Sequence, residues 1–176
     1  TKINGCPVGG NSVAAELANI MGIEAAEVER YVACVHCRGG NNAVKKYEYL
    51  GVDDCAAALE VAGGPLECKY GCLGLGSCIM VCPYDAIEMV SGVALVHADK
   101  CKACKKCVAA CPRHIIHMIP YKADVRVCCS SHDKGGALRK ICNIGCLGCK
   151  ICEKKCPENA ITIDGNLASI DFTKCT

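Results

Sequence analysis

Cysteine is the residue type that dominates the chemistry available to this chain. Of its 176 residues 20 are cysteines, and four of its six prolines directly follow a cysteine. The densest run, C-K-A-C-K-K-C-V-A-A-C-P, occupies residues 101–112. Cysteines at this spacing bind [4Fe–4S] clusters: three thiolates hold one cube, and the fourth, before the proline, ligates a neighbouring cube. The run therefore predicts electron-transfer chemistry.

The segment before this run carries a related but altered pattern, C-K-Y-G-C-L-G-L-G-S-C-I-M-V-C-P, over residues 68–83. A shift of 29 residues superposes its last three cysteines on the regular run but places Leu75 opposite Cys104. Cys68, four residues before Cys72, is the natural substitute for the missing thiolate. The crossing of the fourth ligand then predicts two complete clusters. Their ligands are Cys68, Cys72, Cys78 and Cys111 for one, and Cys82, Cys101, Cys104 and Cys107 for the other.

The whole pattern then repeats. A shift of 74 residues superposes 68–101 on 142–175 with 13 of 34 positions identical, far above chance. The second copy predicts further cluster ligands at Cys146, Cys149, Cys152, Cys156 and Cys175. Because its clusters are incomplete, three more cysteines are expected beyond Thr176. Cys142 is the counterpart of Cys68, although Cys149 restores the standard position. It is therefore an alternative ligand, a ligand of another centre, or a spare.

The remaining cysteines have irregular spacing. Cys37, Cys55, Cys129 and Cys142 either bind one further cluster or are buried structural thiols. Cys6 is isolated and is either a free thiol or the last ligand of a site upstream of Thr1. Cys34 and Cys128 each lie close to another cysteine in the sequence, and they are expected not to be ligands.

Short elements must position these ligands. Residues 1–30 predict a small helical segment. Asn11 or Ser12 is its N-cap, one face carries Val13, Leu17 and Ile20, and Gly22 ends the helix. A second helical stretch is expected over about 25–32, before a connecting segment at 31–67.

Residues 68–121 and 122–176 form two modules of cluster loops, small helices and short antiparallel hairpins, the second of them truncated. Residues 86–90 and 93–96 form one such hairpin. The expected fold class is α+β, with tandem bacterial 2[4Fe–4S] ferredoxin-like modules after the helical segment.

Composition and charge limit the other classes. A disulfide framework and a zinc-stabilised interaction module both suit a cysteine-rich chain, but neither requires repeated Cys-Pro pairs or three cysteines at x2 spacing. The formal charge of +2 omits the clusters, each about 2− with its four thiolates, so nucleic-acid binding is not expected. No apolar run approaches the roughly 20 residues of a membrane span, and reduced thiols favour the cytoplasm.

Two groups of side chains outside the cysteines are further candidate sites. The histidines share no metal-like spacing and are expected in surface or packing roles; they are His36, His97, His114, His117 and His132. Lys102, Lys105 and Lys106 either steer an acidic partner toward a cluster edge or form a solvated turn.

Several strings resemble the B subunit of the Rnf complexes, of the clostridial type, and together they cover essentially the whole chain. They are Y-G-C-L-G-L-G-S-C-I-M-V-C-P-Y-D-A-I (70–87), Tyr49-x-Gly51-x-x-Asp54-Cys55, His132-Asp133-Lys134-Gly135 and Gly145-Cys146-Leu147-Gly148-Cys149. In that family a membrane helix precedes a four-cysteine motif ending in Cys-Pro-x-Gly-Gly, which residues 6–10 match. The resemblance implies that Cys6 is the last ligand of that motif.

The resemblance also implies a function. Electrons would pass from reduced ferredoxin through this subunit into a membrane complex that reduces NAD and pumps Na⁺ or H⁺. NAD and flavin sites would lie on other subunits, and this chain would have no substrate site of its own. It would be peripheral to the inner face of the cell membrane, anchored through residues outside this chain. The alternative is a soluble polyferredoxin that serves a hydrogenase or a similar redox enzyme.

Overall fold

Short helices and strands alternate along the chain in the computed structural model, which describes residues 6–24 and 29–175. The first seven elements are α1 (Gly10–Met21), β1 (Tyr31–Val35), a 3₁₀ turn (Gly40–Asn42), α2 (Cys55–Glu60), α3 (Ser77–Met80), β2 (Ile87–Val90) and β3 (Val93–Val96). The next six are α4 (Lys106–Ala110), β4 (Ile116–Pro120), α5 (Gly135–Ile141), α6 (Ile151–Lys155), β5 (Ile161–Asp164) and β6 (Leu167–Ile170). The strands pair as three two-stranded antiparallel sheets, β1–β4, β2–β3 and β5–β6. The expected α+β class with tandem ferredoxin-like modules is confirmed.

The two hairpins have the same turn. Both central residues have positive φ, at Ser91 (49°) and Gly92 (78°) in the first hairpin and at Gly165 (49°) and Asn166 (67°) in the second. Two residues with positive φ define the type I′ turn, whose twist matches that of the flanking strands. The hairpin predicted for residues 86–96 is confirmed, and its counterpart lies 74 residues further along.

The cluster loops share an unusual backbone conformation at three corresponding positions. The first is Gly74, Ala103 and Gly148; the second is Gly76, Lys105 and Lys150; the third is Asp85, His114 and Asn159. All nine residues have positive φ, although six of them are not glycine. A residue with a Cβ rarely adopts this conformation unless its surroundings impose it. The 29- and 74-residue shifts therefore relate three copies of one loop fold.

Strand β1 contributes to the first module from outside it. It pairs with β4, and Val32 lies opposite Ile119 in the register, each only 2% exposed. The helix expected over about 25–32 is wrong at its C-terminal end, because Tyr31 and Val32 belong to this strand; residues 25–28 lie outside the described residues. The run Tyr31–Val35 is rich in β-branched and aromatic side chains that suit a strand, and β4 supplies the partner edge.

Helix α1 ends as expected but is oriented differently. Gly22 adopts the left-handed conformation (φ 64°), and its N–H donates to the carbonyl of Ala18. The N-cap residue is Gly9, and not Asn11 or Ser12 as predicted. The buried residues are Ala14 and Ala18, whereas the predicted apolar face is partly exposed, with Ile20 81% exposed. The buried side of α1 is therefore formed by small alanines and not by the larger apolar residues.

The β1–β4 sheet should determine the stability of the first module. We expect Ile119→Ala to destabilise the protein by about 2–5 kcal/mol, because a fully buried branched side chain is lost and a cavity is left. The measurement is the urea concentration at which cluster absorbance is half lost under anaerobic conditions. Tyr31→Ala in the same sheet, at a position 41% exposed, is the control and should shift the midpoint much less. Equal shifts would contradict this role for the sheet.

Candidate iron–sulfur centres

A first cavity is lined by four cysteines, three from the run at residues 101–112 and one from the preceding segment. Cys101, Cys104 and Cys107 come from one loop and the start of α4, and Cys82 follows α3. The cavity lies between these thiols, β1 and β2. The N–H of Ala33 donates to Sγ of Cys101 at 3.4 Å. We name this cavity the regular site, and it contains all four ligands predicted for it.

A second cavity is bordered by α3 and by the end of α4. It is lined by Cys72, Cys78 and Cys111, as the sequence predicts, but its fourth thiol is Cys55. Cys68 does not line it. The difference arises because α2 begins at Cys55 and lies against the first turn of α3. We name this cavity the altered site.

Hydrogen bonds fix Cys55 at the altered site. Asp54 is the N-cap of α2, where its Oδ1 accepts from the N–H of Ala57 at 2.8 Å. Its Oδ2 accepts from the hydroxyl of Ser77 at 3.0 Å, and the same hydroxyl accepts from the N–H of Cys55 at 2.7 Å. These bonds with Ala57 and Ser77 hold the pKa of Asp54 below its usual value. One carboxylate thus joins the first turns of α2 and α3.

Cys68 lies in a different group of thiols. Burial raises the pKa of Cys68, and the charges of Cys37, Cys129 and Cys142 raise it further. These three are cysteines for which the spacing left more than one role open. Cys68 therefore lies near Cys37, Cys129 and Cys142 and does not line the altered site.

The cysteines of the second copy are more accessible. Cys149 and Cys152 are exposed, and Cys146, Cys156 and Cys175 are partly buried. The backbone nevertheless matches the first copy: the N–H of Cys101 donates to His97 O at 3.0 Å, and that of Cys175 donates to Asp171 O at 3.1 Å. The N–H of Ala160 donates to Sγ of Cys156 at 3.4 Å.

Three cysteines lie apart from these sites. Cys6 is exposed, and its Sγ accepts from the N–H of Gly9 at 3.4 Å. Cys34 is buried in β1, where burial raises the pKa of its thiol while Arg126 opposes the increase and Cys128 adds to it. Cys34 and Cys128 therefore lie close to each other and to Arg126, away from the two cavities.

The electrostatics of both cavities favour a cationic occupant. Burial, followed by the charges of the neighbouring thiols, raises the pKa of Cys78 to about 12 and that of Cys107 to about 11. Four thiolates in one cavity repel one another and need a positive partner, which the iron–sulfide core supplies when it binds. The donor set and the cavities therefore fit a [4Fe–4S] cluster at each site.

A single metal ion needs a tighter arrangement. With Zn–S bonds of about 2.3 Å, tetrahedral geometry places the sulfurs roughly 3.8 Å apart. Within residues 6–24 and 29–175, no group of three or more His, Cys, Asp or Glu side chains is placed to hold one ion. A cube holds each thiolate at a different iron, so its ligands are spread more widely.

The other candidate side chains have simpler surroundings. His36 is packed edge-on against His117 with ring centroids 4.8 Å apart, and burial together with His117 lowers the pKa of His36 to about 4. Lys102, Lys105 and Lys106 are exposed and border the regular site.

Among the described residues, no helix has the length and apolar character needed to cross a membrane.

Two paired cluster cavities on an α+β scaffold define an iron–sulfur protein of the two-cluster ferredoxin class, and residues 65–113 match the model of the 4Fe-4S dicluster domain. Relatives cover nearly all of the chain. It is 45% identical over 175 residues to the B subunit of the Na⁺-translocating ferredoxin:NAD⁺ oxidoreductase complex of Acetobacterium woodii. It is 42% identical over 176 residues to the B subunit of the ion-translocating oxidoreductase complex of Methanosarcina acetivorans. It is 45% identical over 174 residues to the B subunit of the proton-translocating ferredoxin:NAD⁺ oxidoreductase complex of Clostridium ljungdahlii.

These matches cover 98%, 99% and 98% of this chain, and 53%, 67% and 61% of the three relatives. The chain therefore spans about half to two thirds of their length. It belongs to the family of B subunits of Rnf-type ion-translocating oxidoreductase complexes.

The link through Asp54 generates a prediction about the altered site. We expect Asp54→Ala to release iron to a chelator several-fold faster than the unaltered protein. Ser77, whose hydroxyl accepts from the N–H of Cys55, loses its bond to Asp54, and α2 loses its cap. The measurement is the rate of absorbance loss after anaerobic addition of the chelator. Asp54→Asn, whose amide oxygen can still cap the helix, is the matched control and should release iron at nearly the original rate. Indistinguishable rates for all three proteins would exclude a positioning role for Asp54.

Proposed function

We propose that this chain is an electron-relay subunit that passes electrons from reduced ferredoxin into a membrane-bound, ion-translocating oxidoreductase complex. The observation that carries the proposal is the pair of four-cysteine cavities that adjoin α3 and α4, two helices that pack against each other. The charge of Cys107 in the regular site acts on the thiol of Cys78 in the altered site. Clusters this close exchange electrons without any substrate site, and the names of the relatives supply the donor and the kind of complex.

The ligand assignment is part of the proposal. The regular site takes Cys82, Cys101, Cys104 and Cys107. The altered site takes Cys55, Cys72, Cys78 and Cys111. In the second copy, Cys146, Cys149 and Cys152 form a three-thiolate loop of the same backbone fold, and Cys156 and Cys175 belong to a neighbouring centre. Cys6 would be the last ligand of a further centre, as the Cys-Pro-x-Gly-Gly context of the family implies.

Protein groups around the sites would adjust the reduction potentials. A bound cluster supplies one-electron redox chemistry, whose potential depends on hydrogen bonds to sulfur, nearby charge and solvent exposure. Ala33 donates its N–H to Cys101. The guanidinium of Arg113, held by a bond from Nη2 to the carbonyl of Gly63 at 2.6 Å, lies near Cys68 and Cys111. Both features stabilise negative charge and favour the reduced state.

The location follows from the same proposal. The chain would lie on the cytoplasmic side of the membrane, in contact with other subunits that carry NAD, flavin and the ion pathway. Mixing the cluster-loaded chain with reduced ferredoxin tests the relay function. Rapid bleaching of the cluster absorbance is expected. If the chain binds iron and sulfide but accepts no electrons from ferredoxin, ferredoxin is not its donor. If it binds zinc alone, it is not an electron relay.

The assignment of Cys55 can be tested by rescue. Leu75 has the same flanking conformation as Cys104, with positive φ at Gly74 and Gly76 as at Ala103 and Lys105. A cysteine at position 75 should therefore present its thiol to the altered site. We expect Cys55→Ala to lose about one cluster of four irons, and Cys55→Ala/Leu75→Cys to regain it. Iron and acid-labile sulfide per chain are the measurement.

The matched control for this rescue is Cys55→Ala/Val81→Cys, which adds a thiol elsewhere on the same segment, just after α3. It should not regain iron. Full iron content in Cys55→Ala would show that Cys55 is not a ligand, and recovery with either added cysteine would show that the rescue is not specific to position 75.

The lysines beside the regular site predict how the donor docks. We expect Lys102→Gln/Lys105→Gln/Lys106→Gln to slow reduction by an acidic ferredoxin about tenfold at low salt, because electrostatic steering is lost. The difference should disappear at high salt, where exposed charges are screened. Stopped-flow absorbance gives the second-order rate constant.

The control is Lys150→Gln/Lys154→Gln/Lys155→Gln, which removes lysines at the corresponding loop and helix of the second copy. It should leave the rate nearly unchanged. A larger effect of this control than of the first triple variant would place the docking surface on the second copy instead.

A further inference from the structure

Four cysteines from four separate segments remain close together once the altered and regular sites are assigned. Cys37 follows β1, Cys68 precedes the first cluster loop, Cys129 lies before α5, and Cys142 follows it. Three of them are buried and Cys129 is partly buried. We propose that Cys37, Cys68, Cys129 and Cys142 bind a further [4Fe–4S] cluster between the two modules, here named the bridging site. The inference rests on the proposed electron-relay function and extends it.

Backbone hydrogen bonds join the segments of Cys68 and Cys142 to the same residue, Val44. The N–H of Val44 donates to the carbonyl of Ile141 at 2.8 Å, and the carbonyl of Val44 accepts from the N–H of Glu67 at 2.9 Å. Ile141 and Glu67 are the residues directly before Cys142 and Cys68. Val44 therefore joins the two cysteine segments through bonds on its two sides.

Cys129 and Cys37 are joined in the same way. The hydroxyl of Ser130 donates to the carbonyl of His36 at 2.8 Å. These residues are the direct neighbours of Cys129 and Cys37, so a single bond fixes the two cysteine segments beside each other. All four segments are thus tied pairwise by groups adjacent to the thiols.

The space between Cys37 and Cys142 depends on a glycine. A Cβ at Gly39 would lie 3.6 Å from Sγ of Cys37 and 3.6 Å from Sγ of Cys142. The two sulfurs are therefore no further apart than twice that distance, and the glycine between them has no side chain to separate them. Cys68 is the fourth member, since Glu67 directly before it is hydrogen-bonded to Val44, which is also bonded to Ile141 beside Cys142. The charges of the other three act on its thiol.

The sulfurs of this group have the hydrogen-bond donors expected around a charged thiolate. Sγ of Cys37 accepts from the N–H of Gly39 at 3.3 Å and from the N–H of Cys72 at 3.4 Å. Sγ of Cys129 accepts from the N–H of Ser131 at 3.5 Å. Backbone donors to cluster thiolates stabilise their negative charge. The donor from Cys72 also connects the bridging site directly to a ligand of the altered site.

The internal repeat explains why these cysteines are left over for the bridging site. Cys55 and Cys129 are counterparts at the 74-residue shift, as are Cys68 and Cys142. In the first copy Leu75 replaces a ligand, so Cys55 is needed at the altered site. In the second copy Cys149 occupies that position, which frees Cys129. The two copies therefore leave three thiols, Cys68, Cys129 and Cys142, and Cys37 from the connecting segment completes four.

The proposal gives the relay a path from one copy to the next. Electrons on the regular site would pass to the altered site across α3 and α4, and then to the bridging site at the Cys37–Cys72 contact. From Cys129 and Cys142 the path continues into the second copy. Without a centre between them, the two copies would be connected only by protein.

Paired substitutions test the assignment through iron and acid-labile sulfide per chain after anaerobic reconstitution. We expect Cys68→Ala and Cys142→Ala each to lose about four irons, and the double variant to lose no more than either single one. Cys68→Ala/Cys72→Ala should lose about twice as much, because two sites are then affected. Cys34→Ala, a buried thiol outside the group, is the control and should retain all iron.

The outcomes distinguish this inference from the relay function. If Cys68→Ala/Cys72→Ala loses only as much iron as Cys72→Ala, Cys68 belongs to the altered site and the bridging site is overturned. If the unaltered chain loads clusters but neither Cys68→Ala nor Cys142→Ala loses iron, the bridging site fails and the relay proposal stands. A chain that takes up no iron overturns both.

A second measurement does not depend on altering the buried group. In Cys146→Ala/Cys149→Ala/Cys152→Ala, which removes the loop thiols of the second copy, native mass spectrometry should show three [4Fe–4S] increments. They correspond to the regular, altered and bridging sites. A count of two would overturn the bridging site even if the substitutions of Cys68 and Cys142 prevented folding.

Discussion

The burial of several thiolates in one place is the constraint on which the rest of this structure depends. Burial raises the pKa of Cys78 to about 12, so the thiols alone favour their neutral form and need a cation to keep them ionised. Because ligand deprotonation, metal binding and folding are then coupled, binding free energy becomes folding free energy. This explains how a chain with one Phe and no Trp holds such short helices and strands together. The cluster takes the place that large side chains occupy in an ordinary core.

The fold was largely predictable because its signals are local. The Cys-Pro pairs and the repeat shifts located the loops, and the Ser91-Gly92 turn located a hairpin. Strand β1 was not predictable from its own segment, since its pairing with β4 joins residues about 85 positions apart in the chain. The face of α1 was misjudged for a similar reason. Periodicity identifies apolar residues but not which of them are covered, and the buried residues are Ala14 and Ala18.

The ligand assignments also include one site that the spacing predicts fully and one that it predicts only in part. All four thiols of the regular site follow from spacing, because three lie in one loop and the fourth follows the crossing rule. Cys55 at the altered site does not, since the interaction that places it is a side-chain network through Asp54 and Ser77. A clue was nevertheless present in the sequence. Cys55 and Cys129 are superposed by the same shift that relates the modules, which indicated that both positions matter to the repeated unit.

Leu75 shows that the stretch of sequence shared by the two copies is not sufficient to form the altered site. The dense similarity between the two copies begins at residue 68, and a gene fragment cut there would encode every loop and hairpin of the first copy. It would nevertheless leave the altered site with three thiols and β4 without its partner strand, because Cys55 and β1 both lie upstream. One leucine in a cluster loop has thus made two stretches of sequence interdependent. Recombination or truncation between them would separate parts that can no longer function alone.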